Sequence, residues 1–234
     1  MRDSALTDEV PGATVRSWVD GWVVSRGAAD PVPRPWGWSI DVGTPAEAGR
    51  HVVADGDERA VRSLARDFAA PGRWLKVFLP GVTTAHDAPH AAQEIVAPWL
   101  IEGWSFDLPG FLMTTALRHS PSPVRAPDDY RLRMWTRGGV IRAAVLTARG
   151  ALAARGQIAP TGRTAVADQI ETFPGHRRRG LGSVVMRALH NAALDHGART
   201  GVLVATVEGR ALYEHLGWRT HVPMASIRFL GEPL

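Results

Sequence analysis

Cysteine is absent from all 234 residues, which excludes disulfides, thiolate metal sites and a thiol nucleophile. Lysine occurs once, at Lys76, although lysine and arginine together number 27, so the positive charge is almost all guanidinium and is spread along the chain. No apolar run approaches the roughly 20 residues of a membrane span, and Met1-Arg2-Asp3-Ser4 leads into no signal-peptide core. A soluble, cytoplasmic protein without a membrane partner is expected. The basic residues form no long run interleaved with aromatics, which argues against nucleic acid. A formal charge of +4 still suits an anionic partner.

The informative stretch runs from Thr164 to Trp218. Ala165 to Phe173 reads as a strand closed by Pro174-Gly175. Arg177-Arg178-Arg179-Gly180-Leu181-Gly182 follows, and then Leu181, Val184, Val185, Ala188, Leu189 and Ala192 recur at helical spacing until Gly197. A basic glycine turn between strand and helix leaves the first helical N–H groups without internal partners and aims them at one point. An anion is favoured there, by the helix dipole and by the arginines. Gly180 and Gly182 carry no Cβ, so the backbone can come close to it.

The kind of anion is narrowed by what the turn omits. It has no Gly-Lys-Ser/Thr, so it is not a nucleoside-triphosphate loop. Gly180-Leu181-Gly182-Ser183-Val184-Val185 lacks the third glycine of the dinucleotide fingerprint, and Val202 stands where an acidic ribose ligand belongs about twenty residues on. What is present is Arg177-x-x-Gly180-x-Gly182, a helix, the strand Gly201 to Ala205, and a short helix carrying Tyr213 before Gly217-Trp218. This order resembles the GNAT superfamily of acyl-CoA-dependent N-acyltransferases, over about the last hundred residues.

That resemblance implies an α+β fold with a mixed sheet and acetyl-CoA, or another acyl-CoA, as cosubstrate. The amides of Arg177, Arg178, Arg179, Gly180, Leu181, Gly182 and Ser183 would cradle its pyrophosphate. The strand through Ile170 to Thr172 would pair with pantetheine, and Thr206, where the family often has asparagine, would contact the same arm. Tyr213 would protonate the leaving thiolate. Asp168 and Glu171 are the candidate bases. Their odd spacing puts them on opposite faces of a regular strand, and a bulge would change which one points inward. Glu171 is the first choice, with water relays as the alternative to both. No metal is implied: His86-x-x-x-His90 has ligand spacing, but Pro89 and the missing glutamate argue against zinc.

The rest of the chain divides at Ser120-Pro121-Ser122-Pro123-Val124-Arg125-Ala126-Pro127, a linker between residues 1–119 and 128–234. Residues 1–12 should fray, and a helix from Thr14 carries Val15, Trp18, Val19 and Trp22 on one side. Strands at 36–42, 50–54, 74–79 and 111–117 alternate with helices at 57–68 and 86–100. The first half thus echoes the second without a glycine-rich anion turn, giving a tandem of a degenerate and an intact GNAT-like half. In the family, helices between the first two strands build much of the acceptor wall. Arg137-Gly138-Gly139 is too short to hold them, so the N-terminal half, with Trp18, Trp22, Trp36 and Trp38, is expected to close the acceptor site.

The activity this implies is transfer of an acetyl or similar short acyl group to the primary amine of a small molecule, in a monomer or homodimer. Two alternatives stand beside it: a non-catalytic acyl-CoA-binding module, and an acyltransferase acting on a protein or an aminoacyl-nucleic acid.

Overall fold

The computed structural model describes residues 11–231. The fraying expected of residues 1–12 does not extend to Pro11 and Gly12, which begin helix α1 (Pro11–Arg26). Proline is tolerated there because the first helical N–H has no partner to lose. Positions 1–10 lie outside the described residues.

After α1 come β1 (Val32–Arg34), β2 (Gly37–Thr44), β3 (Glu47–Val53), α2 (Glu58–Asp67), β4 (Arg73–Phe78), α3 (Ala91–Val96), β5 (Trp104–Phe106) and β6 (Gly110–Ala116). Beyond the proline-rich linker follow β7 (Tyr130–Arg137), β8 (Val140–Thr147), β9 (Leu152–Thr161), β10 (Thr164–Thr172), α4 (Leu181–Asp195), β11 (Thr200–Ala205), α5 (Val207–His215) and β12 (Arg219–Phe229). The helix expected over 86–100 is confined to α3 and a 3-10 turn at Ala97–Trp99. Pro98 supplies no N–H to continue an α-turn.

The twelve strands among the described residues lie in one sheet. The order is β1-β2-β3-β4-β12-β6-β11-β10-β9-β8-β7, with β5 also on β12. Each half contains the unit strand, helix, parallel strand: β3-α2-β4 and β10-α4-β11. Each half also completes the sheet of the other. β6 pairs with β11 from Thr200↔Ala116 to Ala205↔Phe111. β12 pairs with β6 over its first residues and with β4 and β5 over its last. The sheet therefore runs unbroken across the linker's two sides.

Helix α1 packs on the C-terminal half. Val15, Trp18, Val19, Trp22 and Val23 form one buried cluster with Val166 and Val202, and also with Val52 and Phe78 of the first half. Helix α4 covers the other face of β8, β9 and β10 through Leu181, Val185, Met186 and Leu189. Gly21 is where α1 comes closest to β10: a Cβ there would lie 2.3 Å from Val166 Cγ2.

Overpacking at that contact forces the helix outward. Gly21→Val should lower stability by roughly 1–3 kcal/mol, read as an earlier urea midpoint; an unchanged midpoint would mean that α1 is not seated on β10 as described.

Candidate functional site

The two parallel strands of the C-terminal half do not stay together. β10 and β11 pair at Thr164↔Thr200, Ala165↔Gly201 and Val166↔Val202, and then diverge although both continue. Against β9, β10 is irregular between Asp168 and Glu171, with Gln169 in the left-handed region at φ 53°. This is a bulge, which bends the strand and sharpens its twist. The β10 backbone past Asp168 thus keeps an unpaired edge facing the gap, the kind of edge an extended ligand can join as a further strand.

The bulge is fixed by side chains that converge on Asp168. Its Oδ1 accepts from the Gln169 N–H at 2.9 Å. Arg26, at the end of α1, forks onto both carboxylate oxygens at 2.5 and 2.8 Å, and the Ser25 hydroxyl donates to Oδ2 at 2.8 Å. Gln157, buried on β9, donates to the Ser25 carbonyl and hydroxyl at 2.7 Å each. A buried carboxylate needs such partners. Here they also pin α1 of one half to the bulge of the other.

At the far end of β10 the chain turns through a short 3-10 segment, Pro174–His176, into α4. Arg178 and Gly180 have left-handed φ of 59° and 73°, and Gly180 caps the helix without any side-chain hydrogen bond. The first helical N–H to find a backbone acceptor is that of Val184, on the Gly180 carbonyl at 3.1 Å. The amides just before it remain available, with Arg178, Arg179 and Gly180 exposed around them. Gly182 lies over the mouth of the gap, where a Cβ would meet Leu212 Cδ2 at 3.1 Å and Thr172 Oγ1 at 3.5 Å.

On the α1 side the gap opens into a cavity of about 250 Å³ whose walls come from both halves: Trp18, Trp22 and Arg26 of α1, Arg50, Lys76 and Asp107 of the first half, and Ala167, Asp168 and Thr206 of the second. Trp18 and Trp22 line this cavity, while Trp36 stands apart against His51. Glu171 does not face this space as Asp168 does. It pairs with Arg155 at 2.9 Å with its side chain 44% exposed, against 13% for Asp168. The two carboxylates therefore lie apart, with Asp168 at the cavity.

Tyr213 is buried on α5, its ring 5.9 Å from that of Trp218. Burial first, and the Asp168 charge second, push its phenol well above its ordinary pKa, so it stays protonated. Thr206 N-caps the same helix by accepting from the Gly209 N–H at 3.2 Å, which leaves its hydroxyl hydrogen free to donate. Ile170 turns its side chain toward α4, and the Thr172 carbonyl accepts from Arg177 Nε at 3.3 Å. α5 is held by Arg210, a residue that sequence patterns did not single out. Buried over Phe111, it donates to Glu214 at 2.6 Å and to the Thr84 carbonyl of the first half at 2.6 Å. Ser25, Arg26 and Gln157 were equally silent in the sequence.

The first half repeats the architecture without the opening. β3 and β4 remain paired through five positions, Gly49↔Arg73 to Val53↔Val77. At the start of α2, Asp57 accepts from the Ala60 N–H at 3.1 Å. Its own carboxylate thus occupies the helix N-terminus, and a second anion would be repelled. Among the described residues no group of three or more metal-ligating side chains comes together, and no helix is long and apolar enough to cross a membrane.

Comparison with known proteins agrees with this geometry. Residues 111–218 match the model of the family described as "Acetyltransferase (GNAT) family". No curated protein matches the chain. Among solved structures, a GCN5-related N-acetyltransferase from Kribbella flavida is similar over 96% of this chain and 97% of its own, with TM-score 0.63 and 16% identity. A GCN5-related N-acetyltransferase-like protein from Streptococcus suis covers 94% and 98%, with TM-score 0.55 and 12% identity. A "tandem GNAT protein from the clavulanic acid biosynthesis pathway" covers 95% and 96%, with TM-score 0.52 and 16% identity. At these identities the likeness is one of fold, here extending over both halves.

The family match ends at Trp218, which backs Tyr213 and lies 5.5 Å from the ring of His190. Neither His190 Nε2 nor Trp218 Nε1 has a hydrogen-bond partner, and burial pushes His190 down to about 4 from 6.5. The folded state therefore binds fewer protons than the unfolded one between those values, so stability is full above pH 6.5 and falls as pH drops toward 4. The loss from this group should be on the order of 2 kcal/mol. Urea midpoints at pH 7 and 4.5 should show His190→Leu narrowing the difference; an unaltered difference would exclude His190 as a source.

Proposed function

This chain belongs to the GNAT superfamily, and on that premise we propose that it moves an acetyl or similar short acyl group from acyl-CoA to the primary amine of a small molecule by direct attack. The observation that carries this reading is the divergence of β10 and β11 past Val166 and Val202. It joins an amide-lined basic turn to the inter-half cavity along one unpaired strand edge.

The residues divide the work by position. Arg178 to Ser183 offer main-chain N–H groups, and the arginines guanidinium charge, to the two phosphates of the carrier; the Arg177 N–H is already given to the Pro174 carbonyl. The open edge of β10, from the bulge to Thr172, supplies strand-like hydrogen bonds to its extended arm, and the Thr206 hydroxyl adds a donor. The reactive thioester then lies at the head of the cavity, beside Asp168. Attack forms the C–N bond and breaks the C–S bond. Tyr213, kept protonated by its surroundings, gives its proton to the departing sulfur.

The amine must give up a proton in the same reaction. Asp168 is the carboxylate at the cavity, paired there with Arg26. Its part is to orient the incoming ammonium, which first gives one proton to bulk water; the second, lost as the C–N bond forms, passes through water and restores the Tyr213 phenol. Glu171, turned outward onto Arg155, is left out of this scheme.

Two variants test the assignment. Acetyl-CoA should raise the thermal midpoint of the native protein, and Gly182→Trp should abolish that rise while the ligand-free midpoint shows that the variant is folded. Retention of the shift would place the carrier elsewhere. Tyr213→Phe should lower kcat about a hundredfold with little change in KM for acetyl-CoA. Full turnover in that variant would remove the phenol from the reaction, and a thermal shift with no turnover on any amine would favour a binding module instead.

A further inference from the structure

Lys76, the single lysine of the chain, is only 6% exposed and stands on β4 at the wall of the inter-half cavity. Its ammonium donates to the Ser226 hydroxyl and lies 4.3 Å from the Trp74 ring. No carboxylate among the described residues forms an ion pair with it. The neighbouring charges are already matched: Arg26 with Asp168, and Arg50 with Glu47. Arg50 is itself buried, its guanidinium 3.8 Å above the Trp22 ring. Asp107 lines the same cavity without pairing with Lys76.

A buried ammonium that lacks a counter-ion is unfavourable by several kcal/mol as it stands. Burial and the charge of Arg50 both hold Lys76 well below its ordinary pKa, with Glu47 and Asp107 opposing. A hydrophobic side chain would serve better there if packing were the only requirement. The arrangement suits a site whose missing partner arrives with the ligand. A carboxylate brought by the ligand would favour the protonated amine and pair with it, and a cavity of about 250 Å³ suits a small molecule.

Resting on the acyltransferase reading above, we infer that the acceptor is a small zwitterion, an amino acid or amino-acid-like molecule, whose carboxylate docks on Lys76 beside Arg50 while its amine faces Asp168. The cavity then has an anion-binding end in the first half and an amine-binding end in the second. Lys76 is a specificity-determining residue: it touches the acceptor away from the reacting atoms.

The experiment is a panel of standard amino acids, each beside its own carboxamide, which keeps the amine and removes the charge. Turnover is followed as free thiol released from acetyl-CoA. For the accepted side chain, kcat/KM for the acid should exceed that for the amide by on the order of a hundredfold, mostly through KM. Lys76→Met should bring the ratio to less than about fivefold, and Lys76→Arg should restore part of it. The ligand-free melting temperature of Lys76→Met should equal or exceed that of the native protein, since a buried amine without a counter-ion is replaced by an apolar chain of similar length. Equal use of acid and amide by the native protein, or a preference that survives Lys76→Met, would overturn the inference. A thermal-shift arm without acetyl-CoA separates this from failure of the transferase reading. An amino acid that stabilises the native protein but not Lys76→Met supports the carboxylate site even if no amine is acylated, and the absence of such a shift together with absent turnover refutes it.

Discussion

Hydrogen bonds that β10 and β11 do not make govern this molecule. Three pairs of residues hold the strands together, and past them each strand carries an edge free on the inner side. An empty edge inside a sheet is unfavourable unless something keeps the strands apart and something later fills it. The first requirement is met by the bulge, where Asp168 bonds its own next amide and gathers Ser25 and Arg26 from α1. Bulge, gap and helix are thus one construction. The first half shows the alternative outcome of the same plan. With β3 and β4 paired to their ends and Asp57 filling the helix N-terminus, the opening and its anion turn disappear together.

The exchange of β6 and β12 explains why a cavity between two halves can be a well-defined site. A loose inter-domain cleft would let its walls drift. Here β11, β6, β12 and β4 are consecutive neighbours in one hydrogen-bonded sheet, so Lys76 on one side and Thr206 on the other are joined through paired backbone. Arg210 adds a second tie by donating to the Thr84 carbonyl, and this fixes the helix bearing Tyr213 against the first half. The positions of the chemical groups depend on the sheet, which is stiffer than any loop contact.

How much of this could be read from the amino-acid order differs by feature. The turn Arg177 to Gly182 was legible because glycines and arginines at that spacing have a local meaning, and Tyr213 because it stands just before Gly217-Trp218. Strand positions followed from alternation and from the Pro-Gly and Gly-Gly breaks. The pairing of β6 with β11 could not be read, since periodicity states that a strand exists and not which edge it joins. Between Asp168 and Glu171 the sequence reading chose Glu171; which of the two points to the cavity depends on the bulge, with Gln169 at positive φ, and such an irregularity leaves no pattern in the sequence. Lys76 and Gln157 are polar residues between apolar neighbours on their strands. Alone in a sequence such residues carry no signal, because their significance lies in partners more than a hundred positions away, such as Ser226 for Lys76 and Ser25 for Gln157.

The central place of β12 also bears on how the chain is made. Residues 219–229 lie between β4 and β6, so the middle of the sheet is the part synthesised after everything around it. Until those residues leave the ribosome, β4 and β6 each present a bare edge rich in Leu75, Val77, Phe78, Leu112 and Met113, the kind of surface that recruits other strands. The late strand acts as a keystone, and a nascent chain halted before Arg219 would be left as two open half-sheets with nothing to close them.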